Sequence, residues 1–108
     1  MSVITPHSKV CTLINVFTVE PEKQQQLLDE LVEATERVMR SVPGFVSANF
    51  HKSIDGERVI NYAQWESEEA LQAMLRNPEA IEHIMMCQQI AKNVDFHLYT
   101  VESCFADE

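Results

Sequence analysis

The sequence predicts a ferredoxin-like α+β sandwich with the element order β-α-β-β-α-β. Three observations predict it. A β-branched and aromatic run precedes an amphipathic helical region, an Asp-Gly pair separates two further strand-like runs, and an alternating run follows a second helical region. In this order the helices cover one face of an antiparallel sheet, with the second helix interrupted.

Each element has a local sequence signal. Residues 10–19 (VCTLINVFTV) are mostly apolar in both alternating sets, which predicts a central strand covered on both sides. Pro21 opens a helix whose apolar residues recur at helical spacing as far as Val42. The segments 45–53 and 58–65 are typical of strands.

The pairing of these two strands depends on the turn at Asp55-Gly56. A two-residue turn places His51 opposite Ile60, whereas a three-residue turn with a left-handed Gly56 places His51 opposite Val59. We favour the three-residue turn because it separates polar from apolar side chains. It puts the following residues on one face: Asn49, His51, Asn61 and Trp65. It puts the following on the other: Ala48, Phe50, Ile60 and Tyr62.

Two shorter helices and a final strand complete the fold. Ser67 and Asn77 are N-cap residues that begin the helices, and residues 94–101 alternate as a strand. The helices can cover only one sheet face, so the other face keeps large apolar side chains. Candidates for this exposed face are Phe50, Ile60 and Tyr62. We expect two copies of the chain to pair through it as an isologous homodimer.

Length and charge limit the function classes. The 108 residues, 1–108, form one domain, with a core at about residues 10–101 and an acidic tail at 103–108 that we expect to be mobile. Acidic residues outnumber basic residues by 17 to 8, which disfavours nucleic acid and anionic membranes as partners. With no long apolar run and no secretory pattern, we expect a cytoplasmic protein.

The candidate functional residues are polar or aromatic side chains within apolar strands. Asn15 interrupts the first strand, and Asn61 and Trp65 lie four residues apart in the third. A buried amide needs hydrogen-bond partners, and its neutral NH2 group can donate to a developing oxyanion. An indole supplies a flat wall and one N–H donor. Either asparagine alone also fits a structural role, but together with Trp65 they indicate a binding cleft.

No metal or nucleotide site is predicted. His83 and Cys87 lie four residues apart on a helix, but two ligands do not complete a metal site. The three cysteines are widely spaced and form no C-x-x-C motif, which favours free thiols. The sequence contains no glycine-rich phosphate loop and no nucleophile elbow.

The stretch VPGFVSANFHKSIDGERVINYAQWESEEALQAML resembles the antibiotic biosynthesis monooxygenase domain family. The resemblance lies in Pro-Gly-Phe after the first helix, the Asp-Gly hairpin and N-Y-x-Q-W-x-S-x-E-A, and spans about residues 10–101. It implies a dimeric α+β barrel that oxidises aromatic phenols to quinones with O2. It also implies that no flavin, metal or other prosthetic group takes part. By this resemblance Asn15, Asn61 and Trp65 line the cavity, where the amides bind the phenolate and the indole stacks on its ring.

Further site residues are weaker candidates. His51 matches a cavity histidine of some family members, where it would take or relay a proton. Asn49 shares its predicted face and is a candidate for substrate binding. Arg76 is a candidate for stabilising an anion, or else a solvated surface residue. Leu71 stands where some members carry a tyrosine, so a proton relay through that position is lost.

Three functions follow as hypotheses. The first is a cofactor-independent monooxygenase acting on a small aromatic phenol or quinol. The second is a non-catalytic dimer that binds a small apolar ligand, because neutral amides and an indole suit binding equally well. The third is a haem-degrading oxygenase, for which Asn15 and His83 are partial matches, although Met74 occupies the neighbourhood of an expected tryptophan.

Overall fold

The computed structural model describes residues 2–6 and 9–107. It contains four strands, which are β1 (Cys11–Thr18), β2 (Phe45–Lys52), β3 (Arg58–Trp65) and β4 (Asn93–Tyr99). It contains three α-helices, which are α1 (Gln24–Arg37), α2 (Glu68–Met74) and α3 (Pro78–Ile90). The strands form one antiparallel sheet in the order β2-β3-β1-β4. This architecture confirms the predicted ferredoxin-like α+β fold.

The central position predicted for β1 is confirmed, because β1 pairs with β3 on one side and β4 on the other. The predicted caps are confirmed as well. The Ser67 hydroxyl accepts a hydrogen bond from the Ala70 amide at 3.0 Å, and the Asn77 side chain accepts one from the Glu79 amide at 2.9 Å. These caps satisfy amide groups that a helix N-terminus leaves without partners.

The first helix is shorter than predicted. Pro21–Lys23 and Met39–Ser41 form single 3-10 turns at its two ends, and the α-helical part covers only Gln24–Arg37. At Val38 the backbone leaves the helical region, with φ −123° and ψ −60°. Apolar residues continue beyond this point because the 3-10 turn still packs against the core, where Val38 and Val42 are buried.

The hairpin register that we favoured is wrong. His51 pairs with Ile60 and Asn49 pairs with Tyr62, as in the two-residue alternative. Gly56 is left-handed as expected, with φ +82°. The loop is longer than either predicted turn and covers residues 54–57, because the Ser53 amide donates a hydrogen bond to the Arg58 carbonyl at 3.0 Å. The Asp55 carboxylate accepts hydrogen bonds from the Ser53 hydroxyl at 2.7 Å and from the Glu57 amide at 3.0 Å. These side-chain bonds favour the longer loop.

The one-residue shift exchanges the two faces of β2 relative to β3. We call the face toward the helices the inner face and the opposite face the outer face. Asn61 and Trp65 lie on the inner face with Ala48 and Phe50. On the outer face lie Asn49, His51, Ile60 and Tyr62. Phe50 is therefore not part of the outer apolar surface, contrary to the sequence prediction.

The outer face is partly covered by the chain's own N-terminal segment. The Gln64 amide donates a hydrogen bond to the Val3 carbonyl at 2.8 Å, and the Ser2 hydroxyl donates one to the Asn49 side chain at 2.7 Å. Residues 103–107 are exposed and contain no helix or strand, while Glu108 lies outside the described residues. Within the described part of the chain, no helix has the length and apolarity needed to cross a membrane.

Candidate active site

A cavity of about 380 Å³ lies between the inner face of the sheet and helices α1 and α3. Its volume falls in the range of small-molecule binding sites. The four strands form its floor, and the two helices form its roof. Most of the lining side chains are apolar or aromatic. The polar side chains are an asparagine pair on the floor and, in the roof, Thr35, His83 and Gln88.

The asparagine pair consists of Asn15 on β1 and Asn61 on β3, which are direct cross-strand partners. Both side chains line the cavity. The Oδ1 atom of each is buried and has no hydrogen-bond partner. Leaving a buried polar atom unpaired costs about 1–3 kcal/mol. No hydrogen bond offsets the burial of these two oxygen atoms, which favours a ligand-binding role for the pair over a purely structural one.

The surroundings of the pair suit a flat apolar molecule. The pair belongs to a row of cross-strand partners that runs across all four strands. In order, this row is Phe50, Asn61, Asn15 and Phe96. The two amides are thus flanked by a phenyl ring on each side. At the neighbouring level Ala48 pairs with Ala63, and these small side chains leave space above the sheet. The floor can therefore hold a ring while the amides bind its polar substituent.

Trp65 closes one end of the cavity. Its side chain is only 2% exposed, and its indole packs edge-on against the ring of Phe45, with centroids 5.5 Å apart at 90°. Because Trp65 and Asn61 lie four residues apart on β3, both point to the inner face. The sequence thus predicted the shared face of this pair correctly, but it did not reveal how completely Trp65 is buried.

The roof contains a histidine-carboxylate pair that the sequence did not reveal. His83 on α3 lines the cavity, and its Nδ1 lies 3.1 Å from Oε1 of Glu30 on α1. The side chains are 20% and 15% exposed, so the contact is largely shielded from solvent. The residues are 53 positions apart, and neither helix carries a motif that links them. In the sequence, the one indication that His83 faces the core was its position one helical turn before Cys87.

Cys87 is a thiol without acid-base function near neutral pH. Burial, together with the smaller effect of the nearby Glu30 carboxylate, raises the pKa of Cys87 to about 12. Burial also raises the pKa of Cys11, as do Glu68 and Glu69. Within residues 2–6 and 9–107, no group of three or more His, Cys, Asp or Glu side chains could hold a metal ion.

Three of the predicted site residues lie away from the cavity. Asn49 is on the outer face, where its amide donates to the Tyr62 carbonyl at 2.9 Å and accepts from Ser2. His51 is exposed on the same face. Arg76 is exposed in the turn between α2 and α3. The observed hairpin register explains why Asn49 and His51 lie on the outer face. The exposure of Arg76 agrees with the alternative of a solvated surface residue.

Comparison with known proteins gives consistent matches. The sequence model of the antibiotic biosynthesis monooxygenase family matches residues 11–84. Tetracenomycin-F1 monooxygenase of Streptomyces glaucescens is 49% identical over 92 residues, which are 85% of this chain and 82% of that protein. The structure of a monooxygenase from the gene ActVA-Orf6 of Streptomyces coelicolor, in complex with nanaomycin D, is 28% identical with a TM-score of 0.82. The match covers 91% of this chain and 92% of that one.

A more distant structure supports the fold alone. SnoaB, a cofactor-independent oxygenase from Streptomyces nogalater, is 19% identical to this chain with a TM-score of 0.73. The match covers 93% of this chain and 100% of that one. At this level of sequence identity, the match shows that the two chains share an element order and a layer arrangement. It does not show that they share a substrate.

Proposed function

Because this chain belongs to the antibiotic biosynthesis monooxygenase family, we propose that its monooxygenase reaction oxidises a small aromatic phenol or quinol with O2 and without a prosthetic group. The observation that carries the proposal is the pair Asn15 and Asn61, each with a buried and unpartnered Oδ1, in a mostly apolar cavity. Such a cavity favours an aromatic ring with one polar substituent. The proposed site consists of Asn15, Asn61 and Trp65.

The reaction needs no external reductant, because the substrate supplies all the electrons. The phenol loses its proton, and the electron-rich phenolate ring forms a carbon–oxygen bond with O2. The O–O bond then breaks, one oxygen remains as a quinone carbonyl, and the other leaves as water with two hydrogens from the substrate. Negative charge develops on the phenolate oxygen and on the peroxide. Amide NH2 groups of the asparagine pair can donate hydrogen bonds to these oxygens. The unpartnered Oδ1 atoms can only accept, for example from the phenol hydroxyl before it loses its proton.

Two relatives support the substrate class. One is named for tetracenomycin F1, and the structure of the other holds nanaomycin D. For this chain the support comes from the cavity itself. Its floor places Phe50 and Phe96 on either side of the amides, and Trp65 forms one end. Aromatic side chains favour stacked or edge-on contacts with an aromatic ligand.

The test is oxygen uptake by metal-free and flavin-free protein with a panel of hydroquinones and anthrone-like phenols. We expect protein-dependent uptake with one O2 consumed per quinone formed. With 18O2, the anthrone-like phenols should give a quinone with one labelled oxygen and water with the other. A hydroquinone should give a labelled hydroxyquinone and labelled water, whereas an unlabelled quinone with hydrogen peroxide would indicate simple oxidation without oxygen transfer. No uptake across the panel, with ligand quenching of Trp65 fluorescence, would instead support a binding protein. A Soret band on haem titration that is lost in His83→Ala would support haem chemistry.

We also propose that two copies of the chain pair through their outer faces. The centre of that face contains half-buried apolar side chains, and these are Ile14, Val16, Ile60 and Tyr62. A second copy would remove their remaining apolar surface from water, and an isologous contact needs only one self-complementary patch.

Sedimentation velocity tests the pairing. We expect a species with twice the mass of the chain, and Tyr62→Glu should shift it to the monomer by introducing a charge at the centre of the contact. Ile54→Glu is the matched control, because Ile54 is fully exposed in the hairpin loop. A monomeric parent protein, or equal effects of the two substitutions, would contradict pairing through the outer face.

A further inference from the structure

The proposed oxidation requires a group that takes the phenol proton, and the asparagine pair cannot take it. An amide is neutral across the physiological pH range and is not a base. The proton acceptor must therefore lie elsewhere around the cavity. Among the lining residues that the structure describes, only His83 and Cys87 carry titratable side chains. The remaining polar side chains of the lining belong to Asn, Thr and Gln residues.

Cys87 does not fit this role. Burial and the charge of Glu30 raise the pKa of Cys87 to about 12, so near neutral pH it remains a protonated thiol. A protonated thiol has no lone pair basic enough to deprotonate a phenol. His83 is the remaining group, and a neutral imidazole has one ring nitrogen whose lone pair can accept a proton.

Glu30 determines which nitrogen of His83 is free. A carboxylate only accepts hydrogen bonds, so the contact of 3.1 Å requires the proton of neutral His83 to be on Nδ1. The lone pair is then on Nε2, which has no hydrogen bond to a described residue. The carboxylate also stabilises the imidazolium that forms when Nε2 takes a proton, and the low exposure of both side chains limits screening by water.

We propose that His83 is the general base of the reaction, accepting the phenol proton at Nε2, and that Glu30 is its positioning residue. This inference rests on the proposed function. The O–H bond breaks, the proton moves to Nε2, and the electron pair remains on the phenolate oxygen. The imidazolium later returns the proton to the oxygen that leaves as water. The base in the roof and the amides in the floor thus act on the substrate from opposite sides of the cavity.

Anaerobic binding of 4-nitrophenol tests the proton transfer without turnover, because its phenolate absorbs visible light. The measurement is made at a pH below the point where the free phenol ionises. We expect the parent protein to produce the phenolate band and His83→Gln to lose most of it. Glu30→Gln should show a smaller loss, since an amide oxygen still accepts from Nδ1 but carries no charge.

The matched control is His97→Gln. His97 also contacts a carboxylate, with Nε2 2.7 Å from Asp95 Oδ1, but this pair lies on β4 outside the cavity and is about 60% exposed. We expect its substitution to leave the phenolate band unchanged. An equal loss in His97→Gln and His83→Gln would overturn the assignment, as would an unchanged band in His83→Gln.

Steady-state kinetics provide the second test. We expect His83→Gln to lower kcat about 100-fold, as is typical when a general base is removed, with a much smaller change in KM. The ratio of the parental kcat to that of His83→Gln should be smaller for more acidic phenols, because these lose their proton without a base. A purely structural role would lower the rate equally for all phenols.

The outcomes separate the two proposals. Oxygen uptake that persists at the parental rate in His83→Gln overturns the base assignment and leaves the monooxygenase proposal in place. A phenolate band that depends on His83, in a protein that consumes no O2 with any phenol, overturns the proposed oxidation and leaves His83 as the proton acceptor for a bound phenol only. If the parent protein produces no phenolate band, the base assignment fails whatever the oxygen uptake.

Discussion

Replacing Asn15 and Asn61 together by leucine is expected to stabilise the fold while lowering turnover at least about 100-fold. Each amide leaves a buried Oδ1 without a partner, and removing such an atom recovers about 1–2 kcal/mol of desolvation cost. Leucine has the same branching as asparagine and suits the apolar lining. Loss of an oxyanion donor typically lowers kcat by about 10²–10³. Stability and activity should therefore change in opposite directions, as expected for residues retained for function.

Urea denaturation and oxygen uptake measure the two effects in the same preparations. Asn93→Leu is the control, because Asn93 is exposed at the start of β4 and lies outside the cavity lining. It should change neither quantity substantially. A double variant that is less stable than the parent would show that the amides serve the fold. Full turnover in that variant would remove them from the proposed mechanism.

Trp65→Ala is expected to cause the largest loss of stability. The side chain is 2% exposed and packs against Phe45, and truncating such a residue costs about 3–5 kcal/mol. That is a large part of the roughly 5–15 kcal/mol by which a domain is stable. Loss of activity in this variant therefore does not distinguish a catalytic role from partial unfolding.

Trp65→Phe separates the two roles because it keeps an aromatic ring and most of the buried volume. We expect a loss of about 1–2 kcal/mol, with a cooperative transition in urea monitored by circular dichroism. A raised KM in this folded variant would assign Trp65 to substrate binding. An unfolding midpoint of Trp65→Ala equal to that of the parent would contradict the packing of the indole against Phe45.

The hairpin shows where local sequence stops determining structure. The strand segments, the left-handed Gly56 and the two faces of β3 all follow from residue type and alternation. The register of β2 does not, because two loop lengths compete with similar propensities. The hydrogen bonds of Ser53 and Asp55 decide between them. That choice moved His51 and Asn49 to the outer face.

By itself the sequence determined the elements, their order and the fold class, because periodicity, caps and turn residues act over a few positions. It also marked Asn15, Asn61 and Trp65 as candidates, because polar or large aromatic residues stand out in apolar strands, and all three line the cavity. Only the tertiary structure brought His83 to Glu30 and placed His83 in the same cavity as the asparagine pair. The physical reason is that packing of α1 against α3 joins residues far apart in the chain, and no local pattern records which side chains will meet.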